Sequence, residues 1–209
     1  MLLSTAYFPP LSWLALAARD FRPGFSPAVI GLEACENYQK QSYRNRCYIL
    51  AGDGVQMLQV PVVHGDSWLI TDVRVDYSTP WVIRTQRALD TAYETSAYYE
   101  YYRDEVFALL DARPQTLWEL NLSTLRFLLR KTGIACDLSP TASFAREEAD
   151  DYRTAIHPKR EDTILADLGL DRPYYQVFRD RMGGFTPKLS CLDLLFNEGP
   201  DSILWLKKL

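Results

Sequence analysis

The pattern of residues 1–32 constrains the fold more than any other part of the sequence. Residues 2–8 form a short, largely apolar run that ends at Pro9-Pro10, as expected of a strand. Residues 13–20 have the apolar content of a buried helix, and Ser12 is its expected N-cap. Residues 28–32 form a second apolar run. A strand, a helix and a strand of these lengths predict a βαβ unit, and hence a parallel sheet.

The residues that follow predict antiparallel strands beside this unit. Residues 47–50 and 55–60 flank Gly52-Asp53-Gly54, a turn sequence whose glycines tolerate positive φ. Residues 68–75 supply a further strand pattern. We therefore predict an α/β fold whose three-layer-like mixed sheet opens with the βαβ unit.

The second half of the chain is predicted to be mainly helical. Pro80 suits a first helical turn, and apolar residues repeat at helical spacing over residues 98–110 and 117–129. Residues 134–138 are expected to return to the sheet. Residues 141–172 are too polar for more than about one helical turn.

A helical C-terminal part completes the predicted fold. Leu189, Leu192, Leu195 and Phe196 share one helical face, Gly199-Pro200 interrupts it, and a last helix is expected from Asp201. No repeat, low-complexity tract or shift in composition divides the chain. We therefore predict a single domain of residues 1–209.

The charge balance limits the classes of partner. The chain has 23 Lys and Arg against 27 Asp and Glu, a net charge of −4. This balance argues against non-specific binding of nucleic acid and against a polybasic membrane surface. No apolar run approaches the ~20 residues of a membrane span, and no Lys or Arg precedes Arg19 as a secretory signal would require. We expect a cytoplasmic protein without membrane insertion, and oligomer formation stays open.

Cysteine and histidine usage gives no support for a metal site. Cys35, Cys47, Cys136 and Cys191 form no CxxC pair, and His64 and His157 lie far apart. We predict free thiols and no metal. The glycine-rich phosphate loops, the nucleophilic GxSxG turn and the HExxH zinc motif are all missing from the sequence, so it identifies no cofactor.

The densest polar segment, residues 38–46, is the first candidate binding element. It contains Lys40, Asn45 and Arg46 among amides and phenols. Guanidinium groups bind oxyanions through two hydrogen bonds, and amides recognise hydroxyls, so the segment suits a phosphate or a sugar. The alternative is a solvated loop whose cations pair with nearby carboxylates.

Three further features carry weaker signals. Arg84 and Arg87 lie three residues apart and would share one helix face, either as a cationic patch or as a plain exposed surface. The tyrosines of residues 98–102 favour a core role over a platform for stacking sugars or bases. Glu198 follows an apolar helix, where the negative end of the helix dipole favours a protonated carboxyl group and thus acid–base work. A plain C-cap would explain Glu198 equally well.

Short segments spread over nearly the whole chain resemble those of one family. They are residues 4–10, 38–41, 44–46, 91–93, 99–102, 120–122, 157–159, 175–178 and 189–200. The most specific is the last, with the run Phe196-Asn197-Glu198-Gly199-Pro200. Together they resemble the WbqC-like protein family, in particular its short members common in Bacteroidetes.

The resemblance implies a role in surface-glycan synthesis. Some members of the family are encoded in bacterial O-antigen and surface-polysaccharide gene clusters. The implied activity is that of a transferase or ligase acting on a sugar or a nucleotide-activated substrate. The family has no agreed catalytic residues to carry over to this chain.

The opening of longer family members is also similar to the first βα unit of nucleotidyltransferase folds, which are HUP or Rossmann-like. In those folds the helix N-terminus receives phosphate. Here Ser12 stands at the position of the glycine that begins the helix in those members, and no histidine pair follows Tyr7-Phe8. Lys188-Leu189-Ser190 is a weak candidate for a phosphate-holding loop.

Two functions from different classes follow from these observations. One is a transferase or ligase of surface-polysaccharide synthesis, and the other is a non-catalytic small-molecule-binding or scaffold protein with an exposed patch at residues 98–102. For the first, we predict a site near the carboxyl end of the first strand, with Glu198 as proton carrier and a sugar or nucleotide as ligand. The predicted substrate-binding residues are Tyr7, Lys40, Asn45, Arg46, Arg84, Arg87 and Lys159.

Overall fold

The structure is a computed structural model that describes residues 1–63, 65–146 and 149–207. His64 therefore lies outside the described residues. The strands are β1 (Leu2–Leu3), β2 (Ala28–Leu32), β3 (Arg46–Ala51), β4 (Gly54–Gln59), β5 (Val62–Val63), β6 (Arg74–Val75) and β7 (Cys136–Pro140). The helices are α1 (Leu11–Asp20), α2 (Trp81–Tyr93), α3 (Tyr99–Asp111), α4 (Leu117–Lys131), α5 (Ile164–Asp167), α6 (Cys191–Glu198) and α7 (Ser202–Lys207), with a 3-10 turn at Gly199–Asp201.

The predicted βαβ unit is confirmed and lies in a parallel sheet. The strand order is β1-β2-β7, with Leu2 opposite Gly31 and Ile30 opposite Leu138. On the other edge of β1, Leu2 also forms a parallel bridge to Asp151. The chain thus adds β2 and β7 on one side of β1 and returns to its other side near residue 151. The strand order changes direction at β1.

The predicted single mixed sheet is wrong, because the antiparallel strands form two separate hairpins. β3 pairs with β4 around Gly52-Asp53, and β5 pairs with β6. The first hairpin packs against α2 and α6, and the carbonyl of Tyr48 accepts a hydrogen bond from the Ser190 amide at 2.8 Å. The pattern over residues 68–75 yields only the two-residue strand β6.

The expected N-cap of α1 is also corrected. α1 begins after Pro10 without a side-chain cap, and Ser12 is buried in its first turn. The Leu11 amide donates to the Leu189 carbonyl at 3.3 Å, and the Cys191 amide donates to Pro9 at 2.8 Å. The Leu189 carbonyl therefore satisfies the first free amide of α1, and residues 189–191 cover the start of the helix.

Local sequence signals explain where α4 begins and ends. α4 begins with a capping box in which the Thr116 hydroxyl accepts from the Glu119 amide at 3.2 Å, and the Glu119 carboxylate accepts from the Thr116 amide at 3.1 Å. The chain leaves the helix through Gly133, whose φ of +70° suits the left-handed turn after a helix. Among the described residues of 141–172, the one helix is the short α5, as predicted.

One buried cluster joins the N-terminal and C-terminal parts of the chain. It runs from Leu3 through the apolar faces of α1, α2 and α4 to Leu206 in α7. All four cysteines lie among the described residues and carry free thiols. No helix of residues 1–63, 65–146 or 149–207 is long and apolar enough to cross a membrane.

Candidate functional site

A buried polar cluster lies where β1 ends. We call Ser4, Glu36 and Arg44 the β1-end cluster. Arg44 donates from Nε to Glu36 Oε1 at 2.8 Å, and from Nη2 to Glu36 Oε2 and to Ser4 Oγ, the latter at 2.8 Å. Ser4 donates to Glu36 Oε2 at 3.0 Å. The two charges are buried as a bidentate pair, which is the arrangement that makes a buried ion pair tolerable.

A second buried carboxylate follows β2 directly. Glu33 is fully buried and accepts hydrogen bonds from the Thr141 hydroxyl at 2.6 Å and from Arg153 Nη1 at 2.7 Å. Arg153 also contacts both carboxylate oxygens of Asp151. Ser4, Glu33 and Thr141 thus follow three parallel strands at the same sheet edge, where ligands bind in open α/β sheets.

The cavity at this edge is nevertheless too small for a sugar. It measures about 10 Å³ and is lined by Ser4, Arg44 and Arg153 among others, so it has room for one water molecule. Each of these three side chains already has polar partners. In this structure the β1-end cluster therefore stabilises the contact between the end of β1 and the loop that contains Glu36 and Arg44.

A group of basic residues, His157, Lys159 and Arg160, lies near Arg44 of the β1-end cluster. Lys159 donates from Nζ to Gln41 Oε1, which joins two of the segments that resemble the WbqC-like family. His157 Nδ1 accepts from the Lys159 amide at 3.2 Å. Partial burial lowers the pKa of His157, and the charges of Arg160 and Arg44 lower it further. These surroundings favour the neutral form of the imidazole.

The arginine groove is the open concave surface in which sequence-predicted residues meet. We use this name for the surface between α2 and the β3–β4 turn that is lined by Arg84, Arg87, Arg181, Asp53 and Gln56, with a volume of about 700 Å³. None of the ion pairs among the described residues includes any of these three arginines. The groove therefore has three cations and one carboxylate, which favours an anionic ligand.

Gly52 allows Arg181 to reach the groove. A Cβ atom at residue 52 would lie 2.9 Å from Nη1 of Arg181 and 3.4 Å from the Phe178 ring. Only a residue without a side chain leaves the guanidinium in its observed place. Sequence reasoning missed Arg181, because it comes from an irregular loop and carries no local motif.

Two other predicted binding residues are buried. Tyr7 has no exposed surface, its ring lies 4.7 Å from that of Phe8, and burial raises the pKa of its phenol well above the usual range. Asn45 is also buried, and its Nδ2 donates to the Val60 carbonyl at 2.9 Å. In this structure both residues hold the interior together and neither faces an open cleft.

The remaining predicted residues are dispersed. Arg46 begins β3 and is half-buried, and Lys40 lies over the Trp68 ring at 5.6 Å from its centroid. Glu198 accepts a hydrogen bond from the Tyr175 amide at 3.1 Å. The structure thus joins Arg84 with Arg87, and Lys159 with the segment that contains Lys40. It does not bring Glu198 to the arginine groove.

The arginine groove has the chemistry of a binding site for a phosphate or another oxyanion. Its guanidinium groups offer paired N–H donors, the Gln56 amide can donate and accept, and the Asp53 carboxylate can accept from hydroxyls. Asp53 is also the one acidic group that lines it. An anionic ligand with hydroxyl groups would match the three arginines, Gln56 and Asp53.

Comparisons with known proteins identify a family and a relative. The sequence model of the WbqC-like protein family matches residues 29–165. The uncharacterised protein Rv1507c of Mycobacterium tuberculosis (strain ATCC 25618 / H37Rv) is 25% identical over 194 residues, which cover 81% of this chain and 84% of that protein. No solved structure matches the chain. The matched range includes Glu36, Arg44, Arg84 and Arg87, and it ends before Arg181.

Proposed function

Because the chain belongs to the WbqC-like protein family, we propose that it is a transferase or ligase acting on a nucleotide-activated sugar in surface-polysaccharide synthesis. The arginine groove is the observation that carries the proposal. Its volume of about 700 Å³ lies within the range of roughly 300–1,000 Å³ that is usual for ligand pockets. Its three arginines would hold the diphosphate, and Gln56 and Asp53 would contact sugar hydroxyls.

Other places for the anion are less suitable. The start of α1, where nucleotidyltransferase folds bind phosphate, is covered by residues 189–191. A cleft of about 620 Å³ between α4 and β7 is lined by Arg126 and Arg130, but Arg130 is paired with Glu105 at 2.9 Å. The arginine groove offers three arginines that take part in none of the ion pairs among the described residues.

Two carboxylates compete for the role of proton carrier. Glu198 holds that role in the prediction from sequence, whereas Asp53 lines the arginine groove itself. Replacing each separately, as Glu198→Gln and Asp53→Asn, decides between them. Removal of the carboxylate that transfers the proton should lower turnover far more than it weakens substrate binding.

Calorimetric titration with a nucleoside diphosphate sugar, the free nucleoside diphosphate and the neutral sugar tests the proposed site. We expect the two diphosphates to bind and the neutral sugar to bind far more weakly. The double variant Arg84→Gln/Arg87→Gln should weaken binding at least about tenfold, since each lost charge-assisted hydrogen bond is worth roughly 1.5–3 kcal/mol. Arg126→Gln, an exposed arginine on α4, is the matched control. Equal binding by the double variant would place the ligand elsewhere.

A non-catalytic binding protein is the second candidate. It is favoured by the lining of the arginine groove, in which Asp53 is the one proton-transferring group and neither histidine nor cysteine contributes. Tyr101 is the exposed tyrosine of the residues 98–102 patch, at 75% exposure, while Tyr99 and Tyr102 are buried. Binding of a nucleotide sugar without nucleotide release, with any acceptor supplied, would favour this candidate over the enzyme.

A further inference from the structure

Strand β7 lies at an edge of the parallel sheet and has one free side. The strand order is β1-β2-β7, and no strand other than β2 pairs with β7 in the described part of the chain. An open cleft of about 620 Å³ lies between β7 and Arg126, Leu129 and Arg130 of α4. All five residues of β7 line it, and since successive side chains point to opposite faces, the cleft runs along the backbone edge. Such an edge is a template for another strand.

The hydrogen bonds to β2 determine which backbone groups of β7 face this cleft. The Thr141 amide, directly after the strand, donates to the Leu32 carbonyl at 2.9 Å, so residue 141 faces β2. Because successive residues of a strand direct their N–H and C=O groups to alternate sides, Cys136, Leu138 and Pro140 face away from β2. Cys136 and Leu138 present an N–H and a C=O each, whereas Pro140 has no N–H and presents a carbonyl alone.

The side chains of β7 make this edge complementary to itself. Cys136 and Leu138 are half-buried and pack against the core, so Asp137 and Ser139 project from the opposite, exposed face. Asp137 takes part in none of the ion pairs among the described residues. In an antiparallel pair of two β7 strands centred on Leu138, each Asp137 lies opposite a Ser139, whose hydroxyl can donate to the carboxylate.

Asp137 and Pro140 together select this register. With Leu138 opposite its own copy, the two residues exchange both backbone hydrogen bonds, and each Cys136 amide reaches a Pro140 carbonyl. A pair centred on Asp137 would place two carboxylates directly opposite each other, which is unfavourable. A pair centred on Ser139 would place Leu138 opposite Pro140, which cannot donate. The register centred on Leu138 avoids both penalties.

We propose that β7 pairs antiparallel with the β7 of a second copy of this chain, with Leu138 at the two-fold axis. The two parallel sheets then form one continuous sheet through the dimer, and each β7 covers the free edge of the other. A peptide of unrelated sequence would satisfy the backbone groups but would lack the two Asp137–Ser139 pairs. This surface is separate from the arginine groove, so the inference does not rest on the proposed function.

Sedimentation velocity of the full chain, from micromolar to millimolar concentration, tests the proposed dimer. We expect a reversible equilibrium between monomer and dimer in this range. Ser139→Asp places carboxylates opposite each other and should raise the dissociation constant at least about threefold, whereas Ser139→Lys places an ammonium group opposite Asp137 and should lower it by a similar factor. The same two changes at Thr95, an exposed residue between α2 and α3, should leave the dissociation constant unchanged.

Introduced cysteines test the register itself. Asp137→Cys and Ser139→Cys are prepared as separate proteins, mixed, and treated with the thiol oxidant diamide. The mixture should form a covalent dimer, because the two replaced residues lie directly opposite each other in a non-hydrogen-bonded pair, with Cα atoms about 4.5 Å apart. Each variant alone should cross-link far less, because its new cysteine is displaced by two residues from the same cysteine of the second copy.

Three results would overturn the inference. The chain could remain a monomer at millimolar concentration, the two Ser139 variants could shift the dissociation constant in the same direction, or the mixture could cross-link no better than each cysteine variant alone. Ser139 is exposed, so its variants are expected to fold, and circular dichroism checks this. A dimer that is insensitive to both Ser139 variants would use another surface.

Discussion

The hydroxyl of Tyr93 donates a 2.9 Å hydrogen bond to Oδ1 of Asp193 and thereby joins α2 to α6 through the core. The other carboxylate oxygen accepts from the Tyr174 hydroxyl at 2.6 Å and from Gln176 Nε2 at 2.9 Å. All four residues are buried. The Asp193 carboxyl therefore has three neutral donors and forms none of the ion pairs among the described residues.

Asp193→Asn is expected to destabilise the fold. The asparagine N–H₂ group would replace one acceptor oxygen, so it would either oppose the Gln176 N–H₂ group or leave the Tyr93 hydroxyl proton without its acceptor. Gln176 cannot reverse its own amide, because it already pairs with the Thr186 amide and carbonyl, each at 2.9 Å. An unsatisfied buried polar group costs about 1–3 kcal/mol. Urea denaturation measures the loss, and an unchanged midpoint would show that the network relaxes without penalty.

The pH dependence of this effect follows from the burial of Asp193. Burial raises the pKa of this carboxyl above its ordinary value, while its three hydrogen bonds act in the opposite direction. The folded state thus binds the proton more tightly than the unfolded state. The stabilising contribution is full below about pH 3.9, the unfolded value, and is lost as pH rises through the folded pKa.

The stability difference between wild type and Asp193→Asn should therefore shrink as pH rises from about 4. Urea denaturation at a series of pH values measures it, and the comparison cancels the other titrating groups. A difference that grew with pH would contradict this expectation, because it would mean that the folded state favours the ionised carboxylate.

Glu36→Gln should destabilise the fold far more than an equivalent change at the surface. The substitution leaves Arg44 buried without its counter-charge, which costs about 3–5 kcal/mol. Glu105→Gln is the matched control, because Glu105 pairs with Arg130 and Lys131 at a largely exposed position where an ion pair contributes about 1 kcal/mol or less. Equal losses of unfolding free energy in the two variants, measured by chemical denaturation, would show that the β1-end cluster does not stabilise the fold more than a surface ion pair does.

Gly52→Ala should weaken ligand binding without unfolding the protein. The new Cβ would displace the Arg181 guanidinium, the far end of a flexible side chain, which lies 2.9 Å from it. We expect a loss of about threefold to tenfold in affinity for a nucleoside diphosphate sugar, the scale of one charge-assisted hydrogen bond that is weakened and not lost. Gly65→Ala is the control, since a Cβ there meets no atom within 4 Å. Unchanged affinity in Gly52→Ala would remove Arg181 from the site.

The parts of the fold that sequence reasoning predicted are those set by local patterns. The βαβ unit, the Gly52-Asp53 turn and the helix that follows Pro80 each depend on residues close together in the chain. The separation into three sheets does not depend on residues close together in the chain. It depends on contacts such as that between the Ser190 amide and the Tyr48 carbonyl. The expected cap at Ser12 is wrong for the same reason, because the carbonyl that accepts from the Leu11 amide belongs to Leu189, far along the chain.

The same division explains the candidate site. The sequence predicts Arg84 and Arg87 on one face, because the helical period brings residues three apart together. Arg181 joins them from a loop about a hundred residues away, which no spacing in the sequence indicates. Asn45 is a polar residue in a polar segment, yet its partner is the Val60 carbonyl in the interior. Residue type alone does not distinguish a buried amide from one that faces a ligand.

Gly199→Ala is expected to be the most damaging of the glycine substitutions. Gly199 has a φ of +56°, and a Cβ there would lie 2.5 Å from two ring atoms of Tyr98, a contact that real Cβ atoms do not make. The Tyr98 residue cannot move away as a whole, because its backbone amide donates a hydrogen bond to the Phe196 carbonyl at 2.9 Å. The structure therefore explains the glycine of the Phe196–Pro200 run by packing as well as by backbone conformation.

Gly133→Ala separates these two causes. Gly133 has a φ of +70° but no atom within 4 Å of its Cβ position, so its substitution costs only the left-handed conformation, about 1–2 kcal/mol. Gly199→Ala should cost at least about 1 kcal/mol more in the free energy of unfolding. In the double variant with Tyr98→Ala, much of that excess should disappear, since the ring that opposes the Cβ is gone. Strictly additive losses would show that the strain at Gly199 comes from the backbone alone.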